Sequence, residues 1–150
     1  MEDKALLSTE VASGAEKAEL LIVIPAYNEA ENIERVVNHL TANFPQYDYV
    51  VVNDGSRDET AAICQRNGYN LLNLPVNLGL AGAFQAGLKY ADKYGYQYAV
   101  QLDGDGQHRP EYLESMIKKM EEGYDIVIGS RFVGEKKPFT MRMLGSNLIE

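Results

Sequence analysis

Asp103 and Asp105 stand two positions apart directly behind the apolar run Tyr98-Ala99-Val100-Gln101-Leu102, with glycines at 104 and 106 and Gln107 next. Extended backbone rises about 3.3 Å per residue and turns alternate side chains to the same side, so both carboxylates can reach one hard cation. Mg2+ or Mn2+ suits such oxygen ligands, and Gln107 offers a further neutral carbonyl oxygen. The two glycines leave room for a bulky anionic ligand to approach the backbone. Chemistry in α/β folds gathers at this carboxyl edge of a parallel sheet.

Other strand ends carry residues of the same kind. Tyr27 offers a flat ring for stacking on a base or sugar. Glu29 and Asp54 are acceptors for the N–H groups of a nucleobase or the hydroxyls of a ribose. Arg131 can pair with phosphate oxygens. Each alone has a plainer reading. Tyr27 is one of ten tyrosines, Asn28 and Ser56 serve as helix caps, and Asp54-Gly55 is ordinary turn chemistry. Gly79 and Gly82 permit tight turning into a helix, while Arg131 and His108 suit an exposed surface.

Two rival readings compete for the acidic run. Asp103, Asp105, Gln107, Arg109, Glu111 and Glu114 fall at EF-hand ligand positions, but His108 stands where glycine is needed and Pro110 intrudes, which excludes that loop. A strand followed by Asp-x-Asp also matches the nucleophile loop of haloacid-dehalogenase-like phosphatases, with Asp103 attacking phosphate and Asp105 as acid/base. That pattern expects Thr or Val at position 107.

The elements that must hold these residues are legible in the hydrophobic pattern. Leu20–Ile24, Tyr49–Val52, Leu71–Leu74, Tyr98–Leu102 and Asp125–Ile128 are short, mostly unalternated apolar segments, as expected of strands buried on both faces. Helical periodicity lies between them: Ile33, Val36, Val37 and Leu40; Leu80, Phe84, Leu88 and Ala91; Leu113, Met116, Ile117 and Met120. Asn28 with Glu31 and Ser56 with Glu59 have capping-box spacing, and Pro110 suits a first helical position. Strand and helix alternate, so the expected fold is α/β: a Rossmann-like, mostly parallel sheet with helices on both faces. The five strand-end loops then share one edge and converge on one crevice.

The bulk properties narrow the classes. The chain has 150 residues, enough for one domain with a real core. Its formal net charge of −8 argues against nucleic-acid binding. An acidic chain that takes an anionic ligand needs a local positive device: a cation, helix N-termini or a few placed basic residues. The single cysteine, Cys64, excludes a disulfide framework or thiolate metal cluster and fits a reducing cytoplasm. Residues 1–19 are polar and read as a tail, not a signal peptide, and the longest apolar run is far too short to span a bilayer. Met141–Glu150 reads as a helix just beginning, so we expect a fragment of a longer protein.

Taken in order, Pro25-Ala26-Tyr27-Asn28-Glu29, Asn53-Asp54-Gly55-Ser56-Arg57-Asp58, Asn77-Leu78-Gly79-Leu80-Ala81-Gly82-Ala83, Asp103-Gly104-Asp105-Gly106-Gln107-His108 and Gly129-Ser130-Arg131-Phe132 resemble the motifs of family 2 glycosyltransferases. The nearest branch is similar to dolichyl-phosphate mannose synthase and bacterial polyprenyl-phosphate glycosyltransferases. The resemblance covers about residues 20–135 and makes residues 20–150 a nucleotide-sugar-binding domain. It implies a GT-A fold, a UDP- or GDP-sugar donor, a divalent cation and inversion at the anomeric carbon. By position, Pro25, Tyr27 and Glu29 would line the base and ribose pocket and Asp54 would read the base. Asp103 would touch the ribose or metal-bound water, Asp105 and Gln107 would hold the metal, and Arg131 would face the diphosphate, making Asp105 and Arg131 the catalytic pair. The implied acceptor is a lipid phosphate or a saccharide, and the implied location is the cytoplasm, at the inner membrane face where the acceptor is a lipid. One departure stands out: many members carry Asp where this chain has Asn53.

Overall fold

The computed structural model describes residues 19–104 and 110–129. The expected sites Asp105, Gln107, His108 and Arg131, the tail before residue 19 and the helix start at Met141 lie outside the described residues. By its internal contacts the chain divides into two units, Met1–Glu111 and Tyr112–Glu150.

The first unit is built on a four-stranded parallel sheet. In chain order its elements are β1 (Leu20–Ala26), α1 (Ile33–Asn43), β2 (Asp48–Asp54), α2 (Thr60–Arg66), β3 (Leu71–Leu74), α3 (Gly79–Lys93) and β4 (Tyr98–Gln101). The spatial order is β3-β2-β1-β4. The chain steps outward from β1 to β3, then α3 carries it back to the other side of β1. That reversal between β1 and β4 is the topological switch point at which open α/β sheets bind their ligands.

All seven residues of β1 are buried, as the continuous apolar run requires of a strand covered on both faces. Alternation splits its side chains between two cores. Leu21 and Val23 join Val50, Val52 and the α3 residues Ala83 and Ala91 in one cluster, with Leu72, Phe84, Tyr90 and Tyr96 packed around it. Ile33, Val37 and Leu40 of α1 and Cys64 of α2 are buried in turn. This supports the expected α/β class with its helices between successive strands.

The buried stripe of α3 differs from the periodicity expected. Ala83, Gly87 and Ala91 are the buried residues, whereas Leu80 and Leu88 are exposed. The cause is close approach. A Cβ on Gly87 would stand 2.2 Å from Val23 Cγ1, so the helix meets the sheet on small residues and its larger side chains flank the contact.

The second unit holds α4 (Leu113–Glu121), which follows a 3-10 turn beginning at Pro110. Leu113 is buried and Met116, Ile117 and Met120 are half-buried, which bears out the expected stripe. Asp125–Ile128 is not a strand, contrary to expectation. It pairs with no strand among the described residues, and Ile126 and Ile128 are 78% and 83% exposed, so an apolar run alone did not make a ladder here. Among the described residues no helix is long and apolar enough to cross a membrane.

Two outcomes are expected from this packing. Gly87→Ala should lower the urea midpoint at unchanged m-value. Overpacking of this sort costs about 1–3 kcal/mol, against up to about 1 kcal/mol returned by helix propensity. An unchanged or raised midpoint would show that α3 can lift off Val23 freely. Cys64 is fully buried, and burial pushes its thiol up to about 11. Its labelling by a thiol reagent at neutral pH should therefore track global unfolding in a denaturant series; labelling at the rate of an exposed thiol would contradict the packing around α2.

Candidate functional site

The carboxyl edge of the sheet opens into a crevice of about 210 Å³. Pro25, Ala26, Tyr27 and Glu29 line it from the end of β1, Asp54 from β2, Leu80 and Ala83 from α3, and Asp103 and Gly104 from the end of β4. The structure thus brings together five expected nucleotide-site residues, Pro25, Tyr27, Glu29, Asp54 and Asp103. It adds Ala26, Leu80 and Ala83, whose apolar side chains gave no chemical signal of their own in the sequence, and Gly104, one of the glycines expected to leave room for a ligand. Tyr27 is 43% exposed, leaving its ring available to a stacking partner.

Neighbouring loops fit closely enough to exclude side chains. A Cβ on Gly104 would lie 3.1 Å from the Pro25 carbonyl oxygen and 3.4 Å from Glu29 Cγ, so the β4 end rests directly on the turn after β1. Gly55 has φ of 65°, and a Cβ there would meet the Asn77 backbone nitrogen at 2.6 Å. Its glycine is required both by the turn and by the approach of the loop after β3.

Asp54 is buried at the end of β2, and its Oδ1 accepts from the Leu78 backbone N–H at 2.7 Å. Asn77 Nδ2 donates to the Asp54 carbonyl at 3.2 Å and Asn77 Oδ1 accepts from Gly79 N–H at 3.1 Å. One carboxylate therefore anchors the start of α3 while it lines the crevice. Asp103 Oδ1 accepts from Gln101 Nε2 at 2.9 Å. Glu29 Oε2 accepts from Asn32 Nδ2 at 2.9 Å, which fixes the side chain on the β1 wall.

The expected capping boxes are not formed. Asn32 precedes α1 and Glu59 precedes α2, neither with a side-chain cap. Asn28 has φ of 57°, the one positive value at a described residue other than glycine. Its N–H donates to Ser56 Oγ at 3.0 Å and its Oδ1 accepts from Arg57 N–H at 2.9 Å. Asn28 and Ser56 thus tie two strand-end loops to each other. Hydrogen-bonding across loops satisfies the same groups that capping would have used, and the left-handed conformation of Asn28 keeps it out of α1.

Asp58 and Thr60 complete this lash. Asp58 Oδ2 accepts from Ala30 N–H at 3.1 Å, Asp58 Oδ1 accepts from the Thr60 N–H at 3.0 Å and from its hydroxyl, and Thr60 Oγ1 accepts from Glu29 N–H at 2.9 Å. Asp-x-Thr is an Asx-turn pattern and was the available signal. Desolvation at Asp58 is outweighed by hydrogen bonds from the Thr60 side chain and backbone and from Ala30, so its carboxyl sits below the ordinary 3.8.

Among the described residues, three carboxylates, Glu29, Asp54 and Asp103, face the crevice, and none of the lining residues is basic. An anionic ligand needs a compensating cation there, and carboxylate oxygens are the donors that hard cations prefer. No group of three acidic, His or Cys residues converges on a metal position among the described residues. Asp105 and Gln107, the other expected metal ligands, lie outside the described residues.

A parallel sheet in the order 3-2-1-4, with an acid-lined crevice at its switch point, is the arrangement of a GT-A fold. The sequence profile of glycosyl transferase family 2 matches residues 21–148. The chain belongs to that family. It is 34% identical over 119 residues to the polyprenol monophosphomannose synthase of Mycolicibacterium smegmatis, covering 75% of this chain and 45% of that protein. It is also 34% identical over 119 residues to the undecaprenyl-phosphate mannosyltransferase of Micrococcus luteus, covering 76% of this chain and 49% of that one. The chain spans about half the length of the curated relatives it matches. Among solved structures, S. aureus TarS superposes with a TM-score of 0.54 at 27% identity, over 69% of this chain and 32% of that one. The mannosyltransferase PcManGT of Pyrobaculum calidifontis, in complex with GDP-Man and Mn2+, gives 0.55 at 21% identity, over 69% and 32%; at that identity the likeness is one of fold. Family membership removes the phosphatase reading of Asp103.

A pH measurement tests the lash. Asp58 has a lowered folded pKa, so the unfolded state binds its proton more readily and the stabilisation is present above the unfolded value. Wild type should exceed Asp58→Asn in stability at pH 6. That difference should shrink as acid titrates the carboxylate, from about pH 4 downward. A difference independent of pH in denaturant titrations would contradict an ionised Asp58 in these contacts.

Proposed function

We propose that this chain is the donor-binding part of an inverting, metal-dependent glycosyltransferase that moves a sugar from a nucleoside diphosphate to an acceptor, with a polyprenyl phosphate as the favoured acceptor. The observation that carries this reading is the crevice itself: an exposed aromatic ring and three carboxylates, on three different strand ends, converge where the strand order reverses. Tyr27 would stack on the base, while Glu29 and Asp54 would accept hydrogen bonds from base or ribose. Asp103, with Asp105 and Gln107, would hold Mg2+ or Mn2+. When bound, the cation would neutralise charge developing on the departing diphosphate. Arg131 would pair with the diphosphate oxygens.

The proteins it resembles support this donor and acceptor pairing: two relatives are named for transfer of mannose to a polyprenol or undecaprenyl phosphate, and the solved neighbours hold GDP-Man with Mn2+ or UDP-GlcNAc. A lipid phosphate is already anionic at its attacking oxygen, so displacement at the sugar needs no general base. We infer a cytoplasmic site of action facing the inner membrane surface, consistent with such an acceptor.

Thermal-shift and calorimetric titrations with UDP, GDP and simple phosphate esters, each with and without Mn2+, test the reading. Stabilisation by one nucleoside diphosphate should require the metal and reach about 2.7 kcal/mol at a hundredfold excess over Kd. Asp105→Ala should abolish the metal-dependent part and leave the fold intact. Equal affinity and metal response in the variant would remove Asp105 from the site, and binding of simple phosphate esters alone would point to a different ligand.

A further inference from the structure

We propose that Asp58 and Thr60, which are not among the residues lining the crevice, act as a positioning pair that sets the Tyr27–Glu29 wall for its ligand; that the ligand is a nucleoside diphosphate rests on the function proposed above. Thr60 is fully buried. Its hydroxyl has one proton and spends it on Asp58 Oδ1, which turns the oxygen lone pairs toward Glu29 N–H. Asp58 Oδ2 reaches the next amide, Ala30 N–H. Two consecutive amides of the β1 loop are thereby held by side chains from the segment that opens α2, about thirty residues away in sequence.

This arrangement fixes more than a turn. With the Glu29 and Ala30 amides held, Asn28 takes its left-handed conformation and reaches Arg57 N–H and Ser56 Oγ. Tyr27 and Glu29 on either side of it both line the crevice. The Glu29 carboxylate is steered further by Asn32, and its carbonyl receives the Asn32 and Ile33 amides that begin α1. Loosening the Thr60 contact therefore frees the ring and the carboxylate together, and ligand affinity falls because the wall must be ordered on binding. A side chain that merely supported the fold would alter unfolding without this selective effect on affinity.

The test compares wild type, Thr60→Val and Thr60→Ser as full chains, at a temperature where all are folded. Valine keeps the shape and removes the hydroxyl; serine restores it. Two readouts are taken: calorimetric affinity for UDP and GDP with Mn2+, and amide exchange at Glu29 and Ala30 by NMR. Thr60→Val should weaken binding about tenfold and speed exchange at those two amides relative to β2, and Thr60→Ser should return both toward wild type. Wild-type affinity in Thr60→Val overturns the proposal, whatever the exchange shows. If wild type binds neither nucleotide, the donor reading has failed and exchange alone decides: faster exchange reversed by serine sustains the positioning role, unchanged exchange ends it. Should Thr60→Val not fold, Asp58→Asn gives the same readouts, because its amide cannot accept from both Thr60 and Ala30.

Discussion

The pairing of β1 between β2 and β4 is the constraint on which the rest depends. Six residues of β1 register in parallel with β2, and four register with β4 on the opposite side. The chain leaves β1 through α1 toward β2 on one side, whereas α3 returns from β3 to place β4 on the other side, so the loops part above the carboxyl end of β1. The gap is a consequence of topology, and no side chain has to open it. What side chains determine is how wide it stands and which groups face it. The close seat of Gly87 on Val23 draws α3 against β1, which brings Leu80 and Ala83 to the rim of the same gap.

The loops around the gap are held mainly by hydrogen bonds that cross from one strand end to the next. Asn28, Ser56, Asp58 and Thr60 join the β1 and β2 loops; Asp54, Asn77 and Gly79 join the β2 loop to α3. Such bonds contribute little individually against water, about 1 kcal/mol each. Their collective effect is to remove conformers, which matters more for a binding site than for the stability of the sheet. Glycine is placed where backbones touch, at Gly55 and Gly104, and polar side chains where they do not.

Strands were the most legible part of the chain because parallel burial writes itself as continuous apolar runs. Tyr49–Val52 and Leu71–Leu74 lie within or coincide with observed strands, and β1 extends the expected Leu20–Ile24 through Pro25 and Ala26. Asp125–Ile128 has the same composition without a ladder, since pairing depends on a neighbour that a local window does not contain. The α3 stripe departs from the expected periodicity because periodicity weights large apolar residues, whereas a helix seated tightly on a sheet buries its small ones. Asn28 and Ser56 bond across loops where the sequence suggests caps, because capping and cross-loop bonding use the same residue types. The crevice residues were legible only jointly: each has an ordinary local explanation, and the sheet edge brings five of the expected ones together.

The departure at Asn53 illustrates how charge is managed at this edge. Asn53 is 2% exposed and lies beside the buried Asp54. Its amide donates to Asn73 Oδ1 across β2 and β3, while its own Oδ1 accepts from Ser56 N–H at 3.4 Å. It does not line the crevice, so in this chain the position serves the sheet end and the loop beside it. A carboxylate there would have no proton to give Asn73 and would add a second buried negative charge next to Asp54, a costly arrangement without a paired cation. The neutral amide avoids placing a second buried carboxylate directly beside Asp54. Among the described residues, Glu29, Asp54 and Asp103 are then the negative charges that line the crevice, and a hard cation arriving with an anionic ligand would be attracted by all three while the apolar sheet beneath limits screening.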